Sequence, residues 1–306
     1  MNSKIEWLIG IALAQLVLIA GVLFFESSST DEKSAFSGLE EARVHAMEVS
    51  DLDTSIRIER GETQWSVGGL LADATKIKDL LDKIITLDGS WPVASSASSA
   101  ERFEVSNETY QRKLSFFDSE GEILESFLLG TSPSYQKVHA RQAGSDEVFS
   151  VGLSNYEFGL KKDDWLDKSL LKVGGGITSV QVLSRKDSDQ EQKSLVEQDG
   201  VWEIEGQLAD QAAAKSYVDR FGNLRVLGVA EELGENVSDI KILVDDKELT
   251  FGLSVIFDDE GEIEDYVIRS SEVEGSFRLA SYVAEQILLT DTDLLPEDLD
   301  PEEEIE

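Results

Sequence analysis

Two nine-residue stretches, Trp65-Ser-Val-Gly-Gly-Leu-Leu-Ala-Asp73 and Trp202-Glu-Ile-Glu-Gly-Gln-Leu-Ala-Asp210, share one pattern. The Trp, second Gly, second Leu, Ala and Asp of the first stretch recur at the same positions in the second. A further pair follows in the same order, because Phe117-Asp-Ser-Glu-Gly-Glu-Ile123 matches Phe257-Asp-Asp-Glu-Gly-Glu-Ile263 at six of seven positions. The two pairs are offset by 137 and 140 residues, so order and spacing are both kept. The sequence therefore predicts two copies of one module.

Composition changes along the chain set the predicted boundaries around these copies. Gly174-Gly-Gly176 lies between the copies and is typical of a flexible joint. From residue 291 the chain is strongly acidic and has two prolines, which predicts a disordered tail. The predicted segments are a cytoplasmic stub with a transmembrane signal anchor (1–26), a linker (27–38), module 1 (39–171), a Gly-rich joint (172–176), module 2 (177–290) and an acidic tail (291–306).

Each copy is predicted to follow the same order of elements. An alternating strand opens the copy, and a second strand carries Trp65 or Trp202 on one face together with the apolar residue two positions later. Asp73 and Asp210 suit a helix N-cap, and apolar residues recur at helical spacing behind both. Three further strands complete a β-β-α-β-β-β module. The predicted fold class is thus α+β, an N-terminal transmembrane helix followed by two such modules with mainly antiparallel sheet.

Three shorter elements are also predicted in these copies. The Gly-containing centres of the two Phe-Asp-x-Glu-Gly-Glu-Ile stretches are typical of hairpin turns. Gly69 and Gly206 belong to the structural signature of the repeat, together with Trp65, Asp73, Trp202 and Asp210. The low-complexity stretch Ala94-Ser-Ser-Ala-Ser-Ser-Ala100 predicts a surface loop, and residues 154–160 predict a short helix.

The N-terminal segment has the length and composition of a membrane span. Residues 7–25 are apolar except for Gln15, and nineteen helical residues extend about 28 Å, close to the hydrocarbon core of a bilayer. Trp7 begins the run and Phe24 and Phe25 end it, as interfacial aromatic residues do. A cleaved signal peptide is the alternative. Its apolar core is usually shorter and is followed by small residues rather than by bulky ones.

The charges beside this span predict its orientation. Lys4 precedes the span and an acidic, polar stretch follows it. The positive-inside rule then places the N-terminus in the cytoplasm and the bulk of the chain outside. In a Gram-negative bacterium this is a single-pass protein of the inner membrane with a periplasmic region.

Composition excludes several classes of function. The net charge of −35 argues against nucleic acid as a partner, because phosphate binding needs a basic surface. The chain has no cysteine, which excludes disulfides, Cys-ligated metals and thiol catalysis. Its only histidines, His45 and His139, are far apart in sequence, and the common phosphate-loop, nucleophile-elbow and zinc-protease motifs are absent. We therefore expect no enzymatic activity, no catalytic residues, no metal and no cofactor.

Two features leave a binding function open. The acidic turns suggest a calcium site, but an EF-hand loop needs Gly at its sixth position, where both turns have Ile. A solvated hairpin turn is the alternative that we favour. Trp65 and Trp202 suit either ligand-stacking platforms or core anchors, and the apolar residue beside each favours the core. The turn residues in question are Asp118, Glu120, Glu122, Asp258, Asp259, Glu260 and Glu262.

Over most of residues 50–290 the sequence resembles a bacterial family named domain of unknown function 4340. The resemblance rests on the two Trp-to-Asp stretches, 65–73 and 202–210, and on Trp165-Leu-Asp-Lys-Ser-Leu-Leu171. Members resemble this chain in having an N-terminal membrane span before one or more such units. They are found beside the ATP-binding protein, the permease and a second auxiliary membrane protein of gliding-motility-type ABC transporters. The resemblance implies an envelope accessory subunit of a transport system and no catalytic residues.

Three hypotheses follow from these observations. The leading one is a membrane-anchored accessory or scaffold subunit that binds transporter subunits or their substrate. The second is a free-standing envelope protein that binds glycan or another envelope protein. The third is an envelope hydrolase, which would need His, Asp or Ser side chains clustered in a cleft.

Overall fold

The structure is a computed structural model that describes residues 15, 36, 38–87, 89, 91–186, 189–288, 294 and 295. The predicted membrane anchor, with Trp7, Phe24 and Phe25, lies outside the described residues apart from Gln15. Most of the predicted linker and acidic tail also lies outside them. Among the helices of the described part, none combines the length and the apolar character that a membrane crossing requires.

The described residues form an α+β fold with antiparallel sheets, as predicted. The described residues contain four α-helices: α1 (Ala74–Ile85), α2 (Ala97–Arg102), α3 (Gln211–Gly222) and α4 (Ser281–Ile287). The first eight strands are β1 (Ala46–Ser50), β2 (Ser55–Arg60), β3 (Trp65–Val67), β4 (Leu70–Leu71), β5 (Arg112–Phe117), β6 (Ile123–Leu129), β7 (Val138–Gln142) and β8 (Phe149–Val151). The others are β9 (Ile177–Lys186), β10 (Asp189–Gln198), β11 (Val201–Ile204), β12 (Gln207–Leu208), β13 (Gly228–Val229), β14 (Glu235–Val244), β15 (Lys247–Phe257), β16 (Ile263–Ser270) and β17 (Phe277–Leu279).

The chain divides into two compact units that are not continuous in sequence. Unit 1 consists of residues 1–44 and 80–157, and unit 2 consists of residues 45–79 and 158–306. The boundary between residues 79 and 80 falls inside α1. These units follow spatial contacts, so their limits differ from those of the two predicted sequence modules.

Unit 1 is built on the antiparallel meander β5-β6-β7-β8. Its core contains a group of aromatic rings. Phe127 lies between Phe36 and Phe116, with ring centroids 5.2 Å and 6.1 Å away, and Phe149 packs edge-on against Phe36. Such ring contacts add to the stability that burial of the apolar area gives.

Unit 2 contains the antiparallel strands β1 to β4 and a nine-stranded antiparallel sheet. The order of that sheet is β12-β11-β10-β9-β14-β15-β16-β17-β13. Its central strands bury alternate residues, as Ile240 and Ile242 in β14 illustrate. Helix α3 closes this core with the side chains of Ala214, Tyr217 and Phe221, which are buried at helical spacing.

The predicted strand count before the helix was wrong. Four strands precede each of the two long helices, β1–β4 before α1 and β9–β12 before α3, instead of the two that were predicted. Strand β10 was not predicted because it is almost wholly polar, and among its side chains with described burial only Leu195 is completely buried. In β1 the adjacent residues Ala46 and Met47 are both buried, so the usual alternation is missing.

Two local predictions were also wrong. The Ser-rich stretch predicted as a loop contains the start of helix α2, where the Ser96 hydroxyl accepts a hydrogen bond from the Ser99 N–H and caps the helix. The helix predicted at residues 154–160 is only a 3-10 turn, Asn155–Glu157. By contrast, both acidic hairpin turns are confirmed, between β5 and β6 and between β15 and β16.

Candidate functional site

The predicted signature residues Gly69 and Gly206 occupy equivalent turns. Gly68 and Gly69 join β3 to β4 with φ angles of 55° and 82°, and Glu205 and Gly206 join β11 to β12 with φ angles of 51° and 76°. A two-residue hairpin loop with positive φ at both positions is a type I′ turn, which glycine adopts without strain. The shared Gly in the sequence pattern is therefore required by the backbone.

Trp65 and Trp202 are buried in unit 2 and are core residues, as favoured over ligand-stacking platforms. The guanidinium carbon of Arg60 lies 5.4 Å from the ring centroid of Trp65. Around Trp202, the Gln211 side chain accepts a hydrogen bond from the Trp202 N–H and donates one to its carbonyl oxygen, over 2.8 Å and 2.9 Å. Both tryptophans thus anchor the strand before the helix.

Asp73 and Asp210 lie at the N-termini of α1 and α3. The Asp73 carboxylate accepts a hydrogen bond from the Lys76 N–H over 3.0 Å. The Asp210 carboxylate accepts one from the Ala213 N–H over 2.8 Å. Each carboxylate satisfies an N–H group that has no partner within the helix, so both residues are N-caps.

The same two aspartates make a second, matching contact through their backbones. The Asp73 N–H donates to the carbonyl oxygen of Trp165, and the Asp210 N–H donates to that of Leu294, each over 2.8 Å. Trp165 and Leu294 are both buried. The repeat pattern did not predict this relationship. Its signal in the sequence is the three-residue likeness between Asp-Trp-Leu at 164–166 and Asp-Leu-Leu at 293–295.

Trp165 lies at the centre of a segment, residues 163–168, that contacts the start of α1. Its indole N–H donates to the carbonyl oxygen of Gly159 over 2.9 Å. The Lys76 ammonium lies 4.5 Å from the ring centroid and donates to the carbonyl oxygen of Asp164 over 2.6 Å. Leu166 forms a single antiparallel bridge with Ala72. Hydrogen bonds, a cation–π contact and burial therefore all hold this segment against the start of α1.

The same segment also covers the edge strand β13 of the nine-stranded sheet. The Asp163 carboxylate accepts a hydrogen bond from the Val229 N–H over 2.8 Å and pairs with Arg278 at 3.2 Å. The Lys168 ammonium donates to the carbonyl oxygen of Leu227 over 2.7 Å. Burial lowers the pKa of Lys168, and the Asp163 carboxylate opposes that shift. These contacts occupy polar groups that an uncovered edge would offer to another chain.

The described part of unit 2 has surface clefts that are large enough for a ligand. One, of about 720 Å³, surrounds the Asp163–Arg278 pair and is lined by both acidic and basic side chains. Another, of about 600 Å³, lies between α3 and α4. Lys215, Arg220 and Arg225 line it, and among the described residues Asp219 is its one acidic lining residue. This second cleft is basic although the chain as a whole is strongly acidic.

His139 lies in unit 1, on the predicted strand. It is buried, its ring stacks near Phe103, and its Nδ1 atom forms a hydrogen bond with the Thr131 hydroxyl over 2.8 Å. Burial lowers the pKa of His139, and a backbone hydrogen bond with Thr131 opposes that shift. Packed between Phe103 and the Thr131 hydroxyl, His139 has the environment of a core histidine.

The acidic hairpin turns use their carboxylates locally. Asp118 accepts hydrogen bonds from the N–H groups of Glu120 and Glu122, and Asp258 holds the second turn in the same way. Across the described part of the chain, no three His, Asp or Glu side chains are grouped as a metal ion would need.

The comparisons with known proteins identify a family. No curated protein and no solved structure is similar enough to this chain to count as a match. One family model does match, over residues 65–243. That stretch begins at Trp65 and ends in β14, and so includes α1, the Trp165 segment and α3. Because the match covers more than half of its length, the chain belongs to the family described as Domain of unknown function (DUF4340).

Proposed function

We propose that this chain is a non-enzymatic accessory or scaffold subunit of an ABC-type transport system, anchored in the membrane and acting outside the cytoplasm. The observation that carries the proposal is its membership of the DUF4340 family. The resemblance described above associates that family with transporters of the gliding-motility type. In this role the protein works by binding transporter subunits or their substrate.

The proposed location rests on the N-terminal sequence. Residues 7–25 are long enough to span a bilayer as an uncleaved signal anchor, with Trp7, Phe24 and Phe25 at the two interfaces. Lys4 favours a cytoplasmic N-terminus. The bulk of the chain then lies in the periplasm of a bacterial inner-membrane protein.

We further propose that the periplasmic part arose from two copies of one module. Matching type I′ turns and matching aspartate N-caps in the two halves support this interpretation. The hydrogen bonds from Asp73 to Trp165 and from Asp210 to Leu294 support it too. A duplicated scaffold offers two related surfaces, which suits a protein that holds two different membrane partners.

Exposed aromatic side chains of unit 1 are candidate binding residues of the expected kind. Trp91, Tyr135 and Tyr156 are 83%, 89% and 97% exposed. Exposed Trp and Tyr side chains are enriched in protein interfaces, where they bury large areas at low entropic cost. We assign these residues to contacts with the permease or with the second auxiliary membrane protein.

Crosslinking of the tagged full-length chain in its native membrane, followed by mass spectrometry, tests the proposal. We expect a permease and its companion protein among the main partners. Recovery of the chain alone, or with envelope proteins unrelated to transport, would contradict the role in a transport system.

Substitutions then test these three aromatic residues. Trp91→Ala, Tyr135→Ala and Tyr156→Ala should lower the recovery of the permease without changing the thermal midpoint of unfolding by more than a few degrees. Phe257→Ala is the matched control, since Phe257 is an exposed aromatic residue of unit 2. Equal recovery of the permease with all four variants would show that these residues of unit 1 are not part of the interface.

A free-standing envelope protein that binds glycan or another protein is the second candidate. The same exposed aromatic residues favour it, because sugar rings stack on aromatic faces. The crosslinking experiment separates the two candidates, since only the first requires a permease partner.

A further inference from the structure

A basic groove lies between helices α3 and α4 of unit 2. Tyr217 of α3 donates from its hydroxyl to the carbonyl oxygen of Ile287 over 2.7 Å, and the Arg220 guanidinium donates to that of Gln286. These contacts hold the two helices side by side. The groove above them has a volume of about 600 Å³.

The cations of this groove are available to a ligand. Lys215 and Arg225 are exposed, and neither makes an ion pair or side-chain hydrogen bond within the part of the chain that the structure describes. Arg220 adds a third positive charge, and the Asp219 carboxylate offsets one of the three. In a chain with a net charge of −35, cations without anionic partners favour a strongly acidic occupant.

The sequence contains such an occupant, in the residues that follow the described Leu294 and Leu295. Residues 296–306, Pro-Glu-Asp-Leu-Asp-Pro-Glu-Glu-Glu-Ile-Glu, include seven acidic residues and no basic one. Just before them, Leu294 is buried in the core of unit 2, and its carbonyl oxygen accepts the hydrogen bond from Asp210. Since Asp210 is the N-cap of α3, this contact fixes where the acidic segment begins: at the N-terminal end of the helix that lines the groove.

The distances allow the segment to reach every cation of the groove. Helix α3 has twelve residues and is therefore about 18 Å long. Eleven extended residues span up to about 36 Å. A chain that starts beside Asp210 can follow the helix past Lys215 and Arg220 to Arg225 with length to spare.

We propose that this groove is the binding site of the chain's own acidic segment, residues 296–306. The tether at Leu294 makes the contact intramolecular, with an effective concentration of about 1 mM for a short linker. Even a weak ionic affinity, with a Kd of about 0.1 mM, then keeps the groove about nine-tenths occupied. This inference does not depend on the transporter role.

A labelled peptide of residues 296–306 tests the proposal by fluorescence anisotropy. The peptide is added to the full-length chain in detergent and to a variant that stops after Leu295. We expect it to bind the shortened chain, and to bind the full-length chain about tenfold more weakly because the tethered segment competes. Raising the salt concentration from 20 mM to 500 mM should weaken both interactions.

Charge reversal identifies the groove as the site. Lys215→Glu combined with Arg225→Glu in the shortened chain should weaken peptide binding at least tenfold. Lys137→Glu with Arg112→Glu carries the same change of charge into unit 1 and should leave binding within twofold. A peptide with its seven acids replaced by amides should bind neither chain.

Three results would overturn the proposal. The first is no peptide binding to the shortened chain. The second is equal binding to the shortened and full-length chains, which would mean that the tethered segment does not occupy the site. The third is equal weakening by both pairs of substitutions, which would show a response to net charge rather than to the groove.

Discussion

The backbone N–H of Asp73 donates a hydrogen bond to the carbonyl oxygen of Trp165 over 2.8 Å, across 92 residues of sequence. Asp73 also caps α1, so the start of this helix is fixed by a segment from much later in the chain. Asp210 has the same relationship with Leu294 at the start of α3. In both halves of the chain, a returning segment therefore stabilises the turn between the Trp strand and its helix.

The burial of Trp165 gives the first prediction. This side chain has no exposed surface, and its indole N–H is hydrogen-bonded to Gly159. Trp165→Ala should therefore lower the free energy of unfolding by about 3–5 kcal/mol, since it creates a cavity and removes a hydrogen bond. Urea denaturation followed by far-UV circular dichroism measures the change. Trp91→Ala is the control, and we expect it to stay within about 0.5 kcal/mol of the unsubstituted chain because Trp91 is 83% exposed.

The type I′ turns give the second prediction. Gly69→Ala and Gly206→Ala should each destabilise the chain by about 1–2 kcal/mol, because both positions have positive φ angles. A Cβ atom at either position meets no other atom within 4 Å, so the cost comes from the backbone alone. The same denaturation experiment measures both variants.

Gly152→Ala is the matched control for these two substitutions. Its Cβ atom would also meet no other atom within 4 Å, but its φ angle is not positive. We expect no loss of stability, or a gain of about 0.4–1 kcal/mol from a less flexible unfolded chain. A loss equal to that of Gly69→Ala would refute the explanation by backbone conformation.

The helix caps give the third prediction. Asp73→Ala and Asp210→Ala should each cost about 0.5–2 kcal/mol, because a helix N–H loses its acceptor. Asp73→Asn and Asp210→Asn should recover most of that loss, since the amide oxygen accepts the same hydrogen bond. Equal losses for alanine and asparagine would show that the negative charge, and not the cap, is what each aspartate contributes.

The repeated sequence pattern predicted those features of the fold that depend on local chemistry. The Gly in each turn, the Asp before each helix and the polar hairpin centres are all required by backbone geometry or by unpaired N–H groups. Apolar spacing also identified the buried face of α1, with Ile77, Leu80, Leu81 and Ile84. Each of these sequence signals is contained in a stretch of about a dozen residues.

Contacts between distant segments could not be predicted in this way. The residues that flank Trp165 and Leu294 in the sequence do not indicate that Asp73 and Asp210 are their partners. The basic groove was also not predicted, because Arg225 and the residues of α4 are distant in sequence. The packing of α3 against α4 brings them to one cleft. Strand β10 was not predicted because it has no apolar pattern of its own. Its mainly polar residues form a strand through their long hairpin pairing with β9.

The buried histidine gives the last prediction, which concerns pH. Burial lowers the pKa of His139 in the folded chain, while in the unfolded chain its pKa is near the ordinary value of about 6.5. The unfolded state therefore binds more protons as the pH falls through 6.5, so the free energy of unfolding should decrease, by at most about 1.4 kcal/mol per pH unit. His139→Gln should flatten this dependence between pH 7.5 and pH 5, because the amide can keep a hydrogen bond to Thr131 but does not titrate. Urea denaturation at several pH values measures both chains, and a slope that survives in His139→Gln would assign the acid sensitivity to another group.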